Sequence, residues 1–513
     1  MSKKGKILLI SPNLKGIQGG INRIQPGLGI GYLAAVLEQN GHEVYVRDTA
    51  LEGHNNVQIL DSKKTIEIGE SDDAISNYIF QLNPDIIGIS VLFSNLADHA
   101  YQVSKIAKKV NPKIHVILGG NHVTNAISDY NYGISSNADT SQFENPLSDI
   151  DGKNIDYLMV GESEYQFLDL VNALMNNKNP DGLSGLVSRK KGAYGMVVNS
   201  NKSSTNLKDL PHPARHLMNM EGYFKIGLFH STKSHSNRVL NVMASRGCPE
   251  VCSFCTTPEM WGTQVRWRDP QDIFEEIKNG IDQLGIGEVQ FEDDTLTANR
   301  PHLMELCDLI EPLGIPWCTP NGTKLNYHMK QQPDMFKRMQ LSGCYQITFA
   351  AETGVQRVMD AIVKKKLLIE QIKPAIENAK EAGMLVHTFW IVGFPGETRE
   401  EMEKTIEFAA GSGADSYSVA ILTPLPGTPV FRKVVENNLW WDSTRGIKDM
   451  LYRNSLIKVD GFKSSEEFQK WVNEQNYSLN SLLEKNDPQR AKLQNSNRGA
   501  RHLQEGALKI KQT

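Results

Sequence analysis

The sequence has few cysteines, six in 513 residues, and none precedes Cys248 or follows Cys344. Cys307, Cys318 and Cys344 stand isolated from one another along the chain. This spacing excludes the disulfide framework of a small secreted protein. The sequence also lacks an apolar run of roughly 18 residues, the length that a membrane span requires. We therefore predict a cytoplasmic protein without a membrane span.

An excess of charge of one sign is absent too, since the formal net charge is −4 at pH 7. This balance argues against nucleic acid or an anionic membrane as the main partner. The first residues, "MSKKGKILLISPN" (1–13), join a basic flank to an apolar run too short for a secretory signal, so they predict a first strand. The length exceeds what one ordinary hydrophobic core holds, which predicts two or three domains.

Short strands rich in Ile, Val and Leu alternate with helical stretches from residue 6 to about residue 175. Five strands with helical crossovers predict a doubly wound parallel sheet of the flavodoxin type, which binds ligands beyond the carboxyl ends of its strands. The predicted strands are 6–13, 43–48, 85–93, 114–120 and 155–161. The candidate ligand-binding residues at their ends are Asn13, Ser90, Leu92, Phe93, Gly119, Gly120, His122, Gly161 and Glu162.

A second alternation of strands and helices begins at about residue 238. Six such units over about 200 residues predict an incomplete (β/α) barrel with its active site at the carboxyl ends of the strands. Residues 184–201 predict a hairpin, and the chain beyond residue 436 is polar and mostly helix-prone. The predicted division is a first domain (1–180), a hairpin and linker (181–237), a partial barrel (238–435) and a helical carboxyl-terminal region (436–513).

The densest chemical signal is "CPEVCSFC" (248–255), with Cys248, Cys252 and Cys255 just past the first barrel strand. A structural zinc site has four protein ligands, so a zinc ion here would need a fourth ligand from a distant part of the sequence. A redox CxxC pair explains Cys252 and Cys255 but leaves Cys248 without a role. A [4Fe–4S] cluster on three thiolates leaves one iron open to an external ligand. We favour the cluster; zinc and unlinked structural cysteines are the alternatives.

The CxxxCxxC spacing in this loop resembles the radical S-adenosylmethionine (SAM) superfamily. The resemblance implies that the open iron binds the amino and carboxylate groups of SAM, and that reductive cleavage gives a radical that abstracts a hydrogen atom. It also implies an external electron donor of the flavodoxin or ferredoxin type. Phe254, just before the third cysteine, matches the family position that packs near the adenine.

Two later segments also resemble the family at strand ends. "FEDDTLT" (291–297) stands where the family often has a Gly-Gly-Glu turn that holds the methionine amino group, which makes Asp293 or Asp294 the candidate. "FAAETGVQRVMDAI" (349–362) resembles the element whose acidic residue contacts the ribose, which makes Glu352 the candidate. An acid here would also be favoured at a helix amino end.

The last two strand ends contain Gly-Pro turns that resemble the family's adenine-facing backbone. "IVGFPGET" (391–398) contains the candidate Gly393, and "TPLPGTP" (423–429) contains the candidate Pro426. Either segment alone is an ordinary turn. In series after the cysteines, at barrel spacing, they support the same resemblance.

The first domain has no GxGxxG after its first strand, so it lacks the phosphate-binding loop of dinucleotide sites. Preceding such a barrel, it resembles the cobalamin-binding domain of the cobalamin-dependent members, and residues 26–44 resemble that domain's first helix. The loop 11–23 contains no histidine, so the resemblance is to members that leave cobalt without a histidine ligand. It implies that Leu92 or Phe93 lies under the corrin, while His122 either hydrogen-bonds the cofactor or is structural.

The combined resemblance covers roughly residues 6 to 430 and implies a methyltransferase acting on an unactivated carbon of a small molecule. Its cofactors would be a [4Fe–4S] cluster, SAM and cobalamin. The alternative is a cobalamin-dependent radical cyclase, dehydrogenase or rearrangement enzyme. A methylthiotransferase is disfavoured because the first domain has no cysteine, and a non-catalytic cobalamin sensor would not need the thiols.

Two basic segments stay outside the predicted cofactor sites. "RWRDP" (266–270) predicts either a site for an anionic substrate or a solvated helix entry. "VKKKL" (363–367) predicts a solvated face. Neither pattern distinguishes a functional charge from an ordinary surface charge.

Overall fold

The molecule folds around two large sheets, each built from one of the two predicted strand series. The structure is a computed structural model that describes residues 3–18, 22–60, 65–131, 154–189, 196–198, 205–227, 229–231, 233–442 and 454–486. Within these ranges, no helix combines the length and the apolar character needed to cross a membrane.

The amino-terminal half contains the first large sheet and a small one. Its strands are β1 (Lys6–Ser11), β2 (Leu14–Ile17), β3 (Glu43–Asp48), β4 (Val57–Ile59), β5 (Thr65–Ile68), β6 (Ile86–Ser90), β7 (His115–Gly119), β8 (Tyr157–Met159), β9 (Leu186–Arg189) and β10 (Met196–Val198). The large sheet has the order β10-β9-β8-β7-β6-β1-β3. Its five parallel strands follow the predicted flavodoxin order. The predicted hairpin extends this sheet as the antiparallel strands β9 and β10.

Helices cover both faces of this sheet. The helices of this half are α1 (Leu28–Gln39), α2 (Thr49–Glu52), α3 (Asp72–Leu82), α4 (Ala97–Val110), α5 (Asn121–Asn131), α6 (Glu164–Met175) and α7 (Met220–Ile226). Of these, α2 and α7 pack with the core of the second half. Along β1, Ile7 and Leu9 pack with α1 and α6, whereas Leu8 and Ile10 pack with α3 and α4. Successive side chains of a strand point to opposite faces, so a strand buried on both sides needs the continuous apolar run found here.

The second half forms an open barrel whose six main strands are all parallel, as predicted. The strands are β11 (Val239–Val242), β12 (Ser245–Arg246), β13 (Arg266–Trp267), β14 (Glu288–Phe291), β15 (Trp317–Thr323), β16 (Cys344–Glu352), β17 (Leu385–Val392) and β18 (Ser416–Ile421). The barrel order is β11-β14-β15-β16-β17-β18. Strands β12 and β13 form a separate antiparallel pair next to the first barrel strand.

The barrel helices are α8 (Thr257–Trp261), α9 (Pro270–Leu284), α10 (Arg300–Ile310), α11 (Gln332–Leu341), α12 (Ile372–Glu381), α13 (Arg399–Ala410) and α14 (Pro429–Glu436), followed by α15 (Ser465–Asn486). A π-helix spans Val358–Val363. Short 3₁₀ turns lie at Ser94–Leu96, Arg215–Leu217, Leu296–Ala298, Glu311–Leu313, Met329–Gln331 and Ile369–Gln371. Helix α15 covers the edge of β18, where the Asn476 amide bonds both backbone groups of Val419 at 2.8 Å. The edge strand is therefore shielded from pairing with another chain.

Candidate active site

The cysteine loop (residues 248–255) lies between β12 and α8, at the carboxyl edge of the barrel. Ser253 anchors it, since its N–H donates to the Val363 carbonyl (2.9 Å) and its hydroxyl to the Ile362 carbonyl (2.6 Å). The Ser253 carbonyl accepts from the Val430 N–H at 3.0 Å. The loop is thus held by backbone contacts to the π-helix and to α14, which leaves its thiols for another role.

The three thiols of the loop are unpaired with each other, and their surroundings disfavour ionisation without a cation. Burial raises the pKa of Cys248 to about 11 and that of Cys252 to about 12. The Thr257 N–H donates to the sulfur of Cys255 at 3.5 Å. Thiolates are the metal-binding form, so bound iron would supply the missing positive charge. This donor set fits an iron–sulfur cluster.

The other three cysteines are buried away from the loop, so they do not complete a zinc site. Cys307 lies in α10, and Cys318 on β15 is 3.1 Å from the Tyr345 hydroxyl. Cys344 begins β16 in the barrel core. In the part of the chain that is described, no three His, Cys, Asp or Glu side chains converge as a single metal ion requires.

Glu352 ends β16 with a left-handed backbone (φ +63°), a conformation that is uncommon for a residue with a side chain. Its carboxylate is 2.9 Å from the Lys365 ammonium, which also donates to the Ala350 carbonyl at 2.7 Å. Burial opposes the charge of Lys365, but Glu352 and the nearby Cys252 thiol outweigh burial and raise the pKa of the ammonium. A buried cation is thus held between the candidate ribose ligand and the cysteine loop.

The prediction of a solvated face at "VKKKL" is wrong for its central lysine. Lys364 and Lys366 are exposed, but only 5% of the Lys365 side chain is exposed. The cause is the π-helix Val358–Val363, which ends at the cysteine loop and turns the chain so that this one lysine points inward. Such π-helical turns are rare and are frequent at functional sites.

The two candidate aspartates after β14 lie in different surroundings. Asp293 accepts from the Ala244 N–H (3.0 Å) and the Ser245 hydroxyl (2.5 Å), and burial raises its pKa to about 7. Asp294 accepts from the Thr257 hydroxyl at 3.3 Å, and the N–H of the same threonine donates to the third cysteine. The structure therefore brings Asp294, rather than Asp293, next to the cysteine loop.

The turn after β17 brings two further candidates together. Gly393 has φ +90°, and its N–H donates to the Glu397 carboxylate at 2.8 Å, as the Phe394 N–H does at 3.0 Å. The Phe394 ring meets the Phe254 ring edge to face at a centroid distance of 5.9 Å. A Cβ at Gly393 would lie 2.9 Å from the Phe468 ring, so only glycine fits between the turn and α15.

The Glu397 carboxyl is expected to make stability depend on pH. Burial raises its pKa from 4.5 to about 7, so the native state binds more protons than the unfolded chain and stability falls as the pH rises through that window. Relative to Glu397→Gln, whose amide oxygen can still accept both N–H groups, the parent protein should lose about 1.4 kcal/mol of unfolding free energy between about pH 6 and about pH 8. Chemical denaturation of both proteins at the two pH values measures this. A difference that does not change with pH would contradict it.

A cleft lies at the carboxyl edge of the first sheet, where the sequence predicts a ligand. Met260 and Trp261 of the barrel helix α8 close its other side, so the cleft faces the barrel. Among the predicted residues, the cleft is lined by Ser90, Gly119, Gly120, Gly161 and Glu162. Glycines let a ligand approach the backbone closely, as a large flat cofactor requires.

The end of β6 presents an apolar surface beside a buried histidine. Leu92 and Phe93 are 52% and 57% exposed, which is unusual for adjacent large apolar side chains. His122 Nδ1 is 3.0 Å from the Ser94 hydroxyl, burial lowers its pKa to about 4, and its Nε2 is buried with no partner among the described residues. An apolar surface beside an unsatisfied ring nitrogen fits a corrin cofactor. The individual cofactor contacts remain predictions.

The side chains of the candidates Asn13 and Glu162 are bonded to other residues of the protein. The Asn13 amide donates to the Glu67 carboxylate (2.9 Å) and the Glu70 carbonyl (3.0 Å), which ties β1 to the small sheet β2-β5-β4. Glu162 forms a buried ion pair with Arg266 of β13. Any role of these two side chains at a cofactor stays a prediction.

"RWRDP" is part of the domain interface, so the prediction of a solvated helix entry is wrong. Arg266 pairs with Glu162 of the first domain. Arg268 is 3% exposed and pairs with Glu276 and Asp272, each at 2.5 Å. Buried guanidinium groups of this kind are bound to carboxylates because an unpaired buried charge is costly.

Known protein families match both halves of the chain. The radical SAM superfamily model matches residues 242–409, and the B12 binding domain model matches residues 21–139. Cytidylyl-2-hydroxyethylphosphonate methyltransferase from Streptomyces wedmorensis is 32% identical over 489 residues, covering 90% of this chain and 87% of that protein. This chain belongs to the cobalamin-dependent radical SAM methyltransferases. The predicted family and cofactors, a [4Fe–4S] cluster, SAM and cobalamin, are confirmed.

Solved structures confirm the fold of this methyltransferase. TsrM from Kitasatospora setae, with cobalamin and a [4Fe–4S] cluster bound, matches with a TM-score of 0.68 at 14% identity over 99% of each chain. OxsB with aqua-cobalamin bound matches with a TM-score of 0.67 at 15% identity over 98% of this chain and 72% of that one. The anaerobic magnesium-protoporphyrin IX monomethyl ester cyclase of Rubrivivax gelatinosus is 26% identical, covering 84% of this chain and 70% of that protein. The alternative reaction class thus occurs among the relatives, but the methyltransferase relative is more similar.

The sequence analysis of this methyltransferase missed two residues at the site, Lys365 and Glu397. Both carry ionisable side chains that the sequence analysis had no reason to place in the interior, and both are buried against partners. For Glu397, the signal is its position four residues after Gly393, which lets its carboxylate fold back onto the turn. For Lys365, the local sequence carries no such signal because its partner Glu352 is 13 residues away across the π-helix.

Proposed function

We propose that this methyltransferase methylates an unactivated carbon of a polar, anionic small molecule in the cytoplasm, with electrons from a flavodoxin- or ferredoxin-type donor. The observation that carries the substrate class is a polar strip inside the barrel. When bound, the cluster supplies the electron that cleaves SAM, and cobalamin supplies the methyl group. The domain division proposed for this enzyme is 1–180 for cobalamin, 181–237 as hairpin and linker, 238–435 for the cluster and SAM, and 436–513 to shape the substrate pocket.

The proposed cofactor contacts follow the geometry described above. The three thiols of the cysteine loop hold the cluster, and Glu352, fixed by Lys365, faces the ribose. Asp294 is the better placed of the two aspartates for the methionine amino group, because Thr257 joins it to the cysteine loop. The adenine contacts are Phe254, Gly393 and Pro426. The cobalamin contacts are Ser90, Leu92, Phe93, Gly119, Gly120, His122 and Gly161. Asn13 and Glu162 would contact cobalamin while they keep their hydrogen bond and ion pair within the protein.

The polar strip begins on the inner face of β14. Val289 and Phe291 belong to the core under the helices, so the alternate residues of this strand point into the barrel. These residues contact the segment that precedes β11. Glu292 lies 2.7 Å from His230 Nδ1, Gln290 accepts from the Ser231 N–H (3.0 Å), and Glu288 accepts from the Ser236 N–H (3.2 Å). Glu288 and Gln290 are fully buried beneath this segment, so their hydrogen bonds fix the segment inside the barrel, where its side chains His230 and Lys233 stay partly exposed. A polar segment of this kind suits a polar substrate better than a porphyrin or a hydrocarbon.

The same segment carries positive charge toward β17 and β18. The Lys233 ammonium donates to the Ser416 hydroxyl at 2.7 Å, and that hydroxyl is 2.7 Å from His387 Nδ1. Burial, together with the Lys233 and Arg23 cations, lowers the pKa of His387 to about 3, so the imidazole is neutral. Two cations near a neutral histidine, in the amino-terminal half of β17 and at the start of β18, favour an anionic group such as a phosphate or phosphonate at the inner end of the barrel. The relative from Streptomyces wedmorensis acts on a cytidylyl phosphonate, which supports this substrate class.

The test compares two substrates with the anaerobically reconstituted enzyme, a reductant and SAM. With cytidylyl-2-hydroxyethylphosphonate we expect a methylated product together with equal amounts of 5′-deoxyadenosine and S-adenosylhomocysteine. Magnesium-protoporphyrin IX monomethyl ester should not react. Conversion of the porphyrin without S-adenosylhomocysteine would instead establish the cyclase alternative.

Substituting Lys233→Met is expected to raise KM for the anionic substrate about 10- to 100-fold with a smaller effect on kcat, because a charge-assisted hydrogen bond contributes about 1.5–3 kcal/mol. Steady-state product formation measures both constants. Lys337→Met on the exposed face of α11 is the matched control and should change neither. An unchanged KM in Lys233→Met would show that the anionic group binds elsewhere.

A further inference from the structure

Helix α5 connects the cobalamin cleft to the cysteine loop. It begins directly after Gly120, which lines the cleft. The Asn121 amide donates to the Thr256 hydroxyl at 3.3 Å, next to the third cysteine. One turn before its end, the Ser128 hydroxyl donates to the Glu259 carboxylate of α8 at 2.8 Å. A single helix therefore joins the turn that lines the cleft to Thr256, the residue directly after the cysteine loop, and to α8.

The same helix also holds the turn that follows β18. The buried Asp129 carboxylate accepts from the Gly427 N–H at 2.6 Å and from Arg432 Nε at 3.0 Å. Gly427 directly follows Pro426, the proposed adenine contact at the end of the barrel. Arg432 also donates to the Ser128 hydroxyl at 3.3 Å. The position of this turn is thus set by a side chain of the cobalamin domain.

Helix α5 packs tightly against the turn at Gly427. Gly427 has φ +83°, and a Cβ there would lie 2.9 Å from Asn125 Oδ1 and 3.1 Å from Asn125 Cα. Close packing of this kind transmits a displacement, because packed contacts do not deform continuously. A shift of α5 must therefore move the turn, and a shift of the turn must move α5.

Other contacts also join the two domains. Arg246 pairs with Glu164 at 2.8 Å, and Arg266 pairs with Glu162, both across the interface and without a side chain of α5. The Asn241 amide also donates to the Pro26 carbonyl at 2.7 Å. The α5 contacts are therefore available to set cofactor alignment rather than to hold the domains together.

We propose that α5 couples the two cofactor sites, with Asp129 as the positioning residue. Cobalamin bound in the cleft would contact the turn at Gly120 and so restrict the position of α5. Because Asp129 of α5 is hydrogen-bonded to Gly427, the turn at Gly427 would be restricted as well. SAM then binds to a site that is already ordered, so cobalamin raises the affinity for SAM. By linkage, SAM raises the affinity for cobalamin by the same factor.

The experiment measures SAM affinity by equilibrium titration of the cluster-loaded full chain, with and without hydroxocobalamin. We expect hydroxocobalamin to tighten SAM binding about 5-fold or more in the parent protein, within the usual range of such couplings. Asp129→Asn, which keeps the shape but loses the charge that Arg432 binds, should reduce this ratio to less than about 2-fold. The ratio compares two affinities of the same variant, so a merely structural defect that weakens SAM binding equally with and without cobalamin would leave it unchanged.

Arg432→Gln should reduce the ratio as Asp129→Asn does, and the double variant should reduce it no further, because both remove one contact. If Asp129→Asn fails to retain cobalamin, Arg432→Gln decides the question alone. Asp73→Asn, an exposed acid in the first turn of α3, is the matched control and should keep the full ratio. The proposal is overturned if cobalamin leaves the SAM affinity of the parent protein unchanged, or if the Asp129 and Arg432 variants keep the full ratio.

Discussion

Cys252→Ser is expected to abolish the cluster and SAM cleavage while leaving cobalamin bound. The substitution removes one of three thiolates, and a neutral serine hydroxyl is a poor ligand for cluster iron. Formation of 5′-deoxyadenosine should fall at least about 1,000-fold, to the level of protein without a cluster. Absorption and EPR spectra of the reconstituted protein report the cluster, and the corrin absorption bands report cobalamin. Cobalamin should remain because its cleft is built mainly by the first sheet.

The matched control for this prediction is Cys307→Ser. Cys307 is a fully buried thiol of α10 with no role at the cluster, so the variant should keep the cluster absorption and SAM cleavage. It should lose about 1–3 kcal/mol of stability, because a hydroxyl replaces a thiol in an apolar core. A cluster that survives in Cys252→Ser, or disappears in Cys307→Ser, would show that the cysteine loop is not its ligand.

The parallel sheets could be predicted because a strand buried on both faces has a continuous apolar sequence. "KILLIS" in β1 shows this directly, since alternate residues enter two different cores. The small sheet β2-β5-β4 was missed for the opposite reason. Its strands have three or four residues, and Gln58 and Ile59 of β4 are exposed, so neither length nor alternation marks them.

At the site, the sequence patterns located the strand ends but not the partners of the side chains. The cysteine loop, Glu352 and the turn at Gly393 could all be recognised from local motifs. The burial of Lys365 could not be predicted. It depends on the preceding π-helix, which no sequence pattern indicates, and "VKKKL" by itself has the composition of an exposed charged segment. The contact of Asp129 with Gly427 joins residues 298 positions apart, so only the packed domains reveal it.

The two buried charges Glu352 and Lys365 lead to the second large prediction. Lys365→Met leaves the Glu352 carboxylate buried without its cation, so it should lower the free energy of unfolding by about 3–5 kcal/mol. Glu352→Gln should be destabilising as well, because it leaves the ammonium uncompensated. Combining the two substitutions removes both charges and should recover most of the lost stability. Chemical denaturation of the four proteins measures this cycle.

SAM binding should respond differently, which separates the structural role of the pair from its functional one. If the carboxylate faces the ribose, Glu352→Gln and the double variant should both bind SAM about 10- to 100-fold more weakly, because a hydrogen bond to a charged group contributes about 1.5–3 kcal/mol. Lys366→Met, an exposed lysine beside Lys365, is the matched control and should change neither stability nor SAM affinity. If the double variant regained SAM affinity together with stability, Glu352 would be a structural partner of Lys365 and not a ligand of the cofactor.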